Sequence, residues 1–212
     1  MAGRCSVYEV YPQSFRDSNG DGIGDIPGIT EKLEYIQELG CNALWINPCF
    51  TSPFYDAGYD VEDYYSVAPR YGTNEDLKKL FEAAHQRGMH VLLDLVPGHT
   101  AVTHPWFQES MKAEKNEYTD RYVWTDSLYK RMEDVKGIVS VLRGISPRPA
   151  SCGVNCFSTQ PALNYGFANI TDAGWQQPTD APGPMATREE LKNIMRFWLT
   201  LGCDGFRVDM AG

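Results

Sequence analysis

The stretch that decides the fold is "NEDLKKLFEAAHQRGMHVLLDLVP", residues 74–97. It begins as an amphipathic helix whose apolar side chains recur at the spacing of one face: Leu77, Leu80, Phe81 and Ala84. Gly88 ends the helix, and a nearly continuous apolar run follows at 90–96. Such a run is typical of a parallel strand that is covered on both faces.

The same plan occurs twice more along the chain. Residues 29–40 form a second amphipathic helix, with Leu33, Ile36 and Leu39 on its apolar face, before an apolar run at 42–47. Residues 187–202 form a third, which precedes the run at 204–209, and a capping box from Thr187 to Glu190 predicts where it begins.

A fourth apolar run at 7–11 comes before all of these units. Alternating strands and helices predict parallel pairing through right-handed crossovers, and therefore an α/β fold with a four-stranded parallel sheet. The stretch at 100–186 has no comparable periodicity and is too long for a structureless loop, so it predicts a small inserted subdomain with irregular or short-strand structure. The expected division is 1–99, 100–186 and 187–212.

The composition excludes several classes of partner. The formal net charge is −9 and no basic run occurs, which disfavours nucleic acid. The N-terminus has no apolar stretch long enough for a signal peptide, and no segment approaches the length of a membrane span. We therefore expect a soluble, cytoplasmic protein without a membrane partner.

Polar residues follow the predicted strands at their carboxyl ends, where ligands meet parallel β/α folds. Arg207 and Asp209 lie on one face of the last strand, and the arginine favours the ionised carboxylate that a nucleophile needs. The alternative is a structural ion pair. His99 either donates to a bound polar group or caps its strand, and Tyr59 offers either a face for a sugar ring or packing. Asp94 lies deeper in its strand and is expected to be structural.

The segment "DSNGDGIGD", residues 17–25, follows the front of an EF-hand calcium loop. The predicted oxygen ligands are Asp17, Asn19, Asp21, the carbonyl of Ile23, and Asp25. Gly28 stands where an EF-hand has its bidentate glutamate, so the match is partial. We expect a structural Ca²⁺ or Mg²⁺ site; the alternative is a polar turn rich in Asp and Gly.

With these pieces in place, the sequence resembles the α-amylase family, glycoside hydrolase family 13, and within it the oligo-1,6-glucosidase and α-glucosidase group. The similarity runs over nearly the whole chain. The segments that carry it are "VYEVYPQSFRDSNGDGIGDIPGI", "LWINP", "DAGYD", "DLVPGH", "QPALN" and "GFRVDMA". The resemblance implies a (β/α)8 TIM barrel with a subdomain inserted after strand 3, of which this chain looks like the first half.

The resemblance also implies roles for individual residues. Asp209 would be the catalytic nucleophile and Arg207 its partner. The residues implied to bind the sugar at the cleavage point are Asp56, Tyr59, His99 and, just before "QPALN", Phe157. The substrate would be an α-glucoside oligosaccharide, and the loop at 17–25 would hold the metal ion.

Two positions depart from the family pattern. The motif at strand 3 usually has Asn where this sequence has Gly98, and that Asn is a ligand of the calcium ion in amylases, so no second calcium is predicted. The insertion motif usually reads QPDLN, and Ala162 replaces its Asp. This second departure leaves the subfamily and the substrate open.

A retaining glycosidase needs a second carboxyl group about 5 to 5.5 Å from the nucleophile. In the family that acid/base glutamate comes from the fifth strand, so we expect the 212 residues alone to be an inactive fragment. Open edges at the first and fourth strands further predict that the isolated chain self-associates.

Other functions stay open at this point. A transglucosidase or isomerase of the same family would use the same residues. A non-catalytic sugar-binding or scaffold relative would keep the barrel without the chemistry, although the presence of Arg207, Asp209 and His99 favours an enzyme. A Schiff-base aldolase is disfavoured because no lysine ends a predicted strand.

Overall fold

The computed structural model describes residues 5–132, 135 and 137–210. In chain order the strands are β1 (Val7–Val10), β2 (Ala43–Ile46), β3 (Phe50–Thr51), β4 (Asp63–Val67), β5 (His90–Leu95), β6 (Ser140–Leu142), β7 (Cys152–Val154) and β8 (Gly205–Val208). The helices are α1 (Pro12–Phe15), α2 (Ile26–Glu31), α3 (Leu33–Glu38), α4 (Asn74–His85), α5 (Pro105–Ser110) and α6 (Pro182–Leu201).

The described residues group into two compact units. The first, which we call the sheet unit, lies within Met1–Thr51, Asp63–Leu95 and Ile194–Asp209. The second, which we call the insertion unit, lies within Ser52–Glu62, Val96–Asn193 and Met210–Gly212.

The sheet unit contains a four-stranded sheet in the order β1-β2-β5-β8. All three pairings are parallel, with Val7 opposite Ala43, Ala43 opposite His90, and Leu92 opposite Gly205. Each strand lies beside the next strand of the plan read from the sequence. The fold-class prediction of four parallel strands with helices is therefore confirmed.

The central strands form the core of this sheet. Leu44 and Ile46 of β2 and Val91 and Leu93 of β5 are fully buried. The edge strands are more open, and Val208 on β8 is 44% exposed. The prediction that all four runs are covered on both faces is thus wrong for the edge strands, since most residues of β1 and all residues of β8 keep exposed surface.

Helix α4 follows its sequence closely. Thr73 caps its first turn by accepting from the backbone N–H of Asp76, whose side chain accepts in return from the N–H of Thr73. The apolar face identified in the sequence is buried as predicted: Leu77, Leu80, Phe81 and Ala84.

The first predicted helix is in fact two short helices. Helices α2 and α3 meet at Lys32, whose φ of −104° and ψ of 7° depart from helical geometry. Leu33 and Ile36 are buried as expected, but Leu39 is 54% exposed. The prediction was wrong for Leu39, which lies beyond the last residue of α3 and no longer follows its face.

The start of the third predicted helix was also wrong. Helix α6 begins at Pro182, five residues before the proposed cap at Thr187. The Thr187 hydroxyl donates to the carbonyl of Gly183 one turn earlier, so Thr187 lies inside a helix that has already begun and is not its N-cap. Pro182 itself lacks an N–H and suits a first helical position.

The insertion unit has short strands and irregular structure. Strands β6 and β7 pair antiparallel, and β7 is fully buried. Its larger apolar cluster is aromatic, with the Phe107 and Trp124 rings stacked 5.9 Å apart and Tyr122 edge-on to Phe107 at 5.0 Å. Helix α5 contributes Phe107 to this cluster.

Candidate active site

The carboxyl ends of β5 and β8 hold a cluster of charged side chains, which we call the strand-end cluster: Asp94, Arg207 and Asp209. Asp94 and Arg207 are paired in the sheet register, so parallel pairing alone places them side by side. Nη1 of Arg207 lies 3.1 Å from Oδ1 of Asp94. Asp94 is fully buried and also accepts from the indole N–H of Trp45 at 3.0 Å.

The same arginine nitrogen reaches Asp209. Nη1 of Arg207 donates to Oδ1 of Asp209 at 2.7 Å, and the side chain of Asp209 is 12% exposed. Burial disfavours the charged guanidinium, but the hydrogen bonds and charges of Asp94 and then Asp209 outweigh it and raise the pKa of Arg207. One carboxylate oxygen of Asp209 is therefore held by a hydrogen bond from a permanent cation.

Arg207 is fixed on a second side by an aromatic ring. Its guanidinium carbon lies 4.9 Å from the centre of the Trp45 ring. Sequence reasoning missed Trp45 and took Asp94 as structural. Asp94 is indeed a structural anchor for Arg207, and the signal that could have found it is its register position opposite the arginine.

In the insertion unit, Asp60 organises the loop at 52–60. Its fully buried carboxylate accepts from the hydroxyl of Ser52 at 2.9 Å and from the backbone N–H groups of Tyr55 and Asp56 at 2.8 and 3.1 Å. These bonds offset the cost of left-handed backbone at Ala57, which has a φ of 53°. Sequence analysis gave Asp60 no role, although it closes the "DAGYD" motif.

Three predicted sugar ligands contact one another within the insertion unit, and we call them the loop cluster: Asp56, Tyr59 and His99. The backbone carbonyl of Tyr59 lies 3.0 Å from Nε2 of His99, and the N–H of Tyr59 donates to the carbonyl of Asp56 at 2.8 Å. His99 is 1% exposed. Its imidazole therefore contacts the loop through the backbone carbonyl of Tyr59.

Two amide side chains that sequence reasoning missed complete this cluster. Gln160 donates to Oδ2 of Asp56 at 2.7 Å, and Asn155 lies 2.9 Å from Nδ1 of His99. Phe157, the fourth predicted sugar ligand, lies in the same turn and is 58% exposed. Its backbone N–H donates to the side chain of Gln160 at 3.0 Å, and its role in binding sugar stays a prediction.

The structure thus places the predicted residues in two groups. Arg207 and Asp209 belong to the sheet unit together with Asp94. Asp56, Tyr59 and His99 belong to the insertion unit.

The predicted metal loop has the donor chemistry of a site for a hard cation. Gly20 and Gly22 adopt left-handed backbone, with φ of 86° and 89°, which closes the loop tightly. Oδ2 of Asp17 accepts one backbone N–H, from Gly22 at 2.8 Å, and keeps a lone pair for a cation. Hydrogen bonds from the N–H groups of Gly22 and then Gly20 lower the pKa of Asp17, which keeps it anionic.

Asp25, the last predicted ligand, has a second task. Its Oδ1 accepts from the N–H of Gly28 at 2.7 Å, and its Oδ2 accepts from the hydroxyl of Ser18 at 2.8 Å, so it caps helix α2. Within residues 5–132, 135 and 137–210, no group of three or more His, Cys, Asp or Glu side chains could hold a metal ion. An ion at this loop would therefore depend on Asn19 and the Ile23 carbonyl as well as on the aspartates.

A parallel β/α sheet with charged side chains at the carboxyl ends of its strands is the arrangement found in β/α-barrel domains. The family description "Alpha amylase, catalytic domain" matches residues 9–212. The chain belongs to the α-amylase family of glycoside hydrolases. Several of its relatives are named oligo-1,6-glucosidase or α-glucosidase.

Two named relatives are 38% and 42% identical to this chain over nearly its whole length. The oligo-1,6-glucosidase of Bacillus sp. (strain F5) is 38% identical over 206 residues, which are 97% of this chain and 38% of that protein. The trehalose synthase/amylase TreS of Mycolicibacterium smegmatis is 42% identical over 208 residues, which are 95% of this chain and 32% of that protein. The chain spans about a third of the length of the curated relatives it matches.

Solved structures agree with this assignment. A family GH13_31 enzyme superposes with a TM-score of 0.82 at 33% identity, covering 97% of this chain and 36% of that one. A mutant of MutB in complex with the substrate sucrose gives a TM-score of 0.79 at 36% identity, covering 97% and 34%. None of the helices that the structure describes is both long and apolar enough to cross a membrane.

Proposed function

We propose that the protein carrying this chain is a retaining glycoside hydrolase that acts on α-glucosidic bonds of short oligosaccharides. The observation that carries the proposal is the contact of 2.7 Å between Arg207 and Asp209. It holds the carboxyl group of Asp209 in one orientation just beyond the carboxyl end of β8. Its name-bearing relatives, which include oligo-1,6-glucosidases, support the substrate class.

In the proposed reaction, a carboxylate oxygen of Asp209 attacks the anomeric carbon of a glucosyl unit. A bond forms between them as the glycosidic bond breaks, and the leaving oxygen takes a proton from a second carboxyl group. Water, deprotonated by that second group, then displaces Asp209 and releases glucose. The second carboxyl must lie about 5 to 5.5 Å away, and we expect it from outside these 212 residues.

The loop cluster is proposed to bind the sugar. Asp56 offers carboxylate oxygens that accept hydroxyl hydrogens, and the Tyr59 ring offers a flat apolar face. His99 is proposed as the third sugar ligand of this cluster. Phe157, which is 58% exposed, is proposed to line the same subsite.

Transfer of the glucosyl group is the second candidate function. Hydrolysis and transfer share the first step and differ in whether water or a sugar hydroxyl attacks the covalent intermediate. Similarity to two proteins favours transfer. These are trehalose synthase/amylase TreS, at 42% identity, and the α-glucosyl transfer enzyme XgtA, at 38%.

The test measures glucose release from maltose, isomaltose, trehalose and sucrose by the full polypeptide that carries these residues, together with the formation of new disaccharides. The Asp209→Asn variant should lower kcat by about 10⁴-fold or more, because it removes the nucleophile. The exposed Asp180→Asn is the matched control and should leave kcat unchanged. An Asp209→Asn variant with near-normal turnover would disprove the nucleophile, and an inactive parent protein would favour the sugar-binding alternative.

We also propose that the loop at 17–25 binds Ca²⁺ or Mg²⁺ as a structural ion, with ligands Asp17, Asn19, Asp21, Ile23 and Asp25. A bound ion stabilises the folded state by mass action, by about 2.7 kcal/mol at 100 times its Kd. Calcium should therefore raise the unfolding temperature of the parent and leave that of Asp17→Ala unchanged. An equal response of both proteins would exclude this site.

The isolated 212 residues are further proposed to self-associate. The sheet order leaves one side of β1 and one side of β8 without a strand partner in the sheet unit. Val7 on β1 is 46% exposed, and Val208 on β8 is 44% exposed. Size-exclusion chromatography should show dimers or larger species, and a stable compact monomer would contradict this.

A further inference from the structure

Gly98, three residues after strand β5, lies where a side chain would not fit. A Cβ atom built on Gly98 would lie 2.8 Å from Oδ1 and 3.3 Å from Cγ of Asn155. A distance below about 3.0 Å is a clash for a carbon atom, so one of the two groups would have to move. The amide of Asn155 thus occupies the space next to the backbone at position 98.

Asn155 is held in one orientation. Its Nδ2 donates to the backbone carbonyl of Gly137 at 2.8 Å, which fixes its Oδ1 toward Nδ1 of His99 at 2.9 Å. Its own backbone N–H donates to the carbonyl of Gln160 at 3.1 Å, which closes the turn at 155–160. Because Oδ1 of an amide only accepts, Nδ1 of His99 must carry the hydrogen in this contact.

The second nitrogen of the ring also faces an acceptor. Nε2 of His99 lies 3.0 Å from the backbone carbonyl of Tyr59. The imidazole therefore has a contact at each ring nitrogen, one with the backbone of Tyr59 and one with the amide of Asn155. The Asn155 contact therefore gives the ring a second fixed point, at the nitrogen opposite the Tyr59 contact.

We propose that Asn155 is the positioning residue for His99, its amide filling the space that the missing side chain at Gly98 leaves open. The role of His99 in binding sugar rests on the function proposed above, but the positioning itself does not. The two residues act as a pair: position 98 must stay small for the amide at 155 to reach the ring.

The test follows the His99 ring directly, in the full polypeptide with ¹⁵N-labelled histidine, with the ring signals assigned from a His99→Gln variant. Asn155→Ala and Gly98→Ala should each shift the Nδ1 resonance of His99 and speed exchange of its hydrogen with water. Each should also raise KM about 10-fold or more, with a smaller change in kcat, because one hydrogen bond to the ring is lost. Asn193→Ala on the exposed face of α6 is the matched control.

Two further variants keep the result decisive if Asn155→Ala fails to fold. Asn155→Asp keeps an oxygen toward Nδ1 and should retain its signal, while it loses the donor to Gly137. The exchange of both residues, Gly98→Asn with Asn155→Gly, should recover part of the ring signal and of KM that the single changes lose.

A His99 ring signal that stays unchanged in both Asn155→Ala and Gly98→Ala would overturn the proposal, and so would a double exchange no better than the single variants. The proposed function fails in a different way. If Asp209→Asn keeps full activity while Asn155→Ala still shifts the ring signal, the positioning holds and the nucleophile assignment does not.

Discussion

The strand-end cluster and the loop cluster are built by different means. Asp94 and Arg207 are adjacent because two parallel strands pair in register, and their attraction is one of opposite charge. His99 and Asp56 are held by amides and backbone carbonyls from residues far along the chain, since Gln160 lies 104 positions from Asp56. A sheet fixes its side chains through the backbone, whereas a loop needs specific side-chain partners for each one.

The strongest challenge to this contrast is the removal of Asp94. Asp94→Ala would leave the guanidinium of Arg207 without its buried partner and the indole of Trp45 without an acceptor. We expect a loss of about 3 kcal/mol in the free energy of unfolding, measured by urea titration. Glu82→Ala, which removes an exposed partner 3.9 Å from Lys78, should cost about 0.5 kcal/mol or less. Similar losses in both variants would disprove the structural role of the strand-end cluster.

The corresponding change in the loop is Asp60→Ala, which removes one acceptor of three hydrogen bonds. We expect a loss of about 2 kcal/mol, confined to the loop because the sheet does not depend on it. Hydrogen exchange at the amides of Tyr55 and Asp56 should therefore accelerate while the amides of β5 stay protected. Asp63→Ala is the control, since its side chain accepts from the N–H of Tyr65 two residues along β4. Uniform acceleration across both units would contradict a local role.

A finer test concerns the amide that holds Asp56. Gln160 is fully buried, and Gln160→Ala removes both its bond to Asp56 and its bond to the N–H of Phe157. We expect a cost of about 1 kcal/mol in stability and a rise of about 5-fold in KM, measured with the best glucoside substrate. Gln37→Ala, which removes an exposed bond to the carbonyl of Arg87, should change neither. An unchanged KM for Gln160→Ala would mean that Asp56 needs no partner.

The smallest expected effect depends on pH and lies in the sheet unit. Asp204 accepts from His85 at 2.8 Å and from His90 at 3.0 Å. Burial works against the charged carboxylate, but the hydrogen bonds from His90, the N–H of Val91 and His85 outweigh it and lower the pKa of Asp204 below its ordinary 3.8. Its stabilising contribution is therefore present above pH 3.8 and is lost as the pH falls through the lowered value.

For this aspartate we expect a contribution of less than about 1 kcal/mol, since both histidines are partly exposed. Asp204→Asn should flatten the acid side of the plot of unfolding free energy against pH. Asp180→Asn, at an exposed position, provides the reference curve. Parallel curves for the two variants below pH 4 would show that the histidine contacts have no effect.

The same contrast explains what could be predicted from the sequence. Periodicity revealed the four parallel strands and the buried face of α4, because these follow from repeating local patterns. It placed Arg207 and Asp209 on one strand for the same reason. It did not find Asn155, Gln160 or Asp60, because their contacts depend on how distant loop segments meet.

The wrong start of α6 and the unpredicted break between α2 and α3 have local causes that the spacing of apolar residues does not reveal. Thr187 has the residue type of a cap, yet its hydroxyl turns back to the carbonyl of Gly183 within a helix that has already begun. Lys32 interrupts a regular apolar pattern, and side-chain spacing alone gives no sign of the break between α2 and α3. Both cases concern backbone conformation rather than burial.

Two glycines, Gly24 within the loop at 17–25 and Gly28 just after it, limit which substitutions the protein tolerates. A Cβ atom at Gly24 would overlap the carbonyl oxygen of Pro12, and one at Gly28 would overlap the carbonyl oxygen of Arg16. Neither backbone oxygen can swing aside as a side chain does. A substitution at either glycine would therefore disturb folding of the chain. Added calcium or sugar in the growth medium should not restore the folded protein.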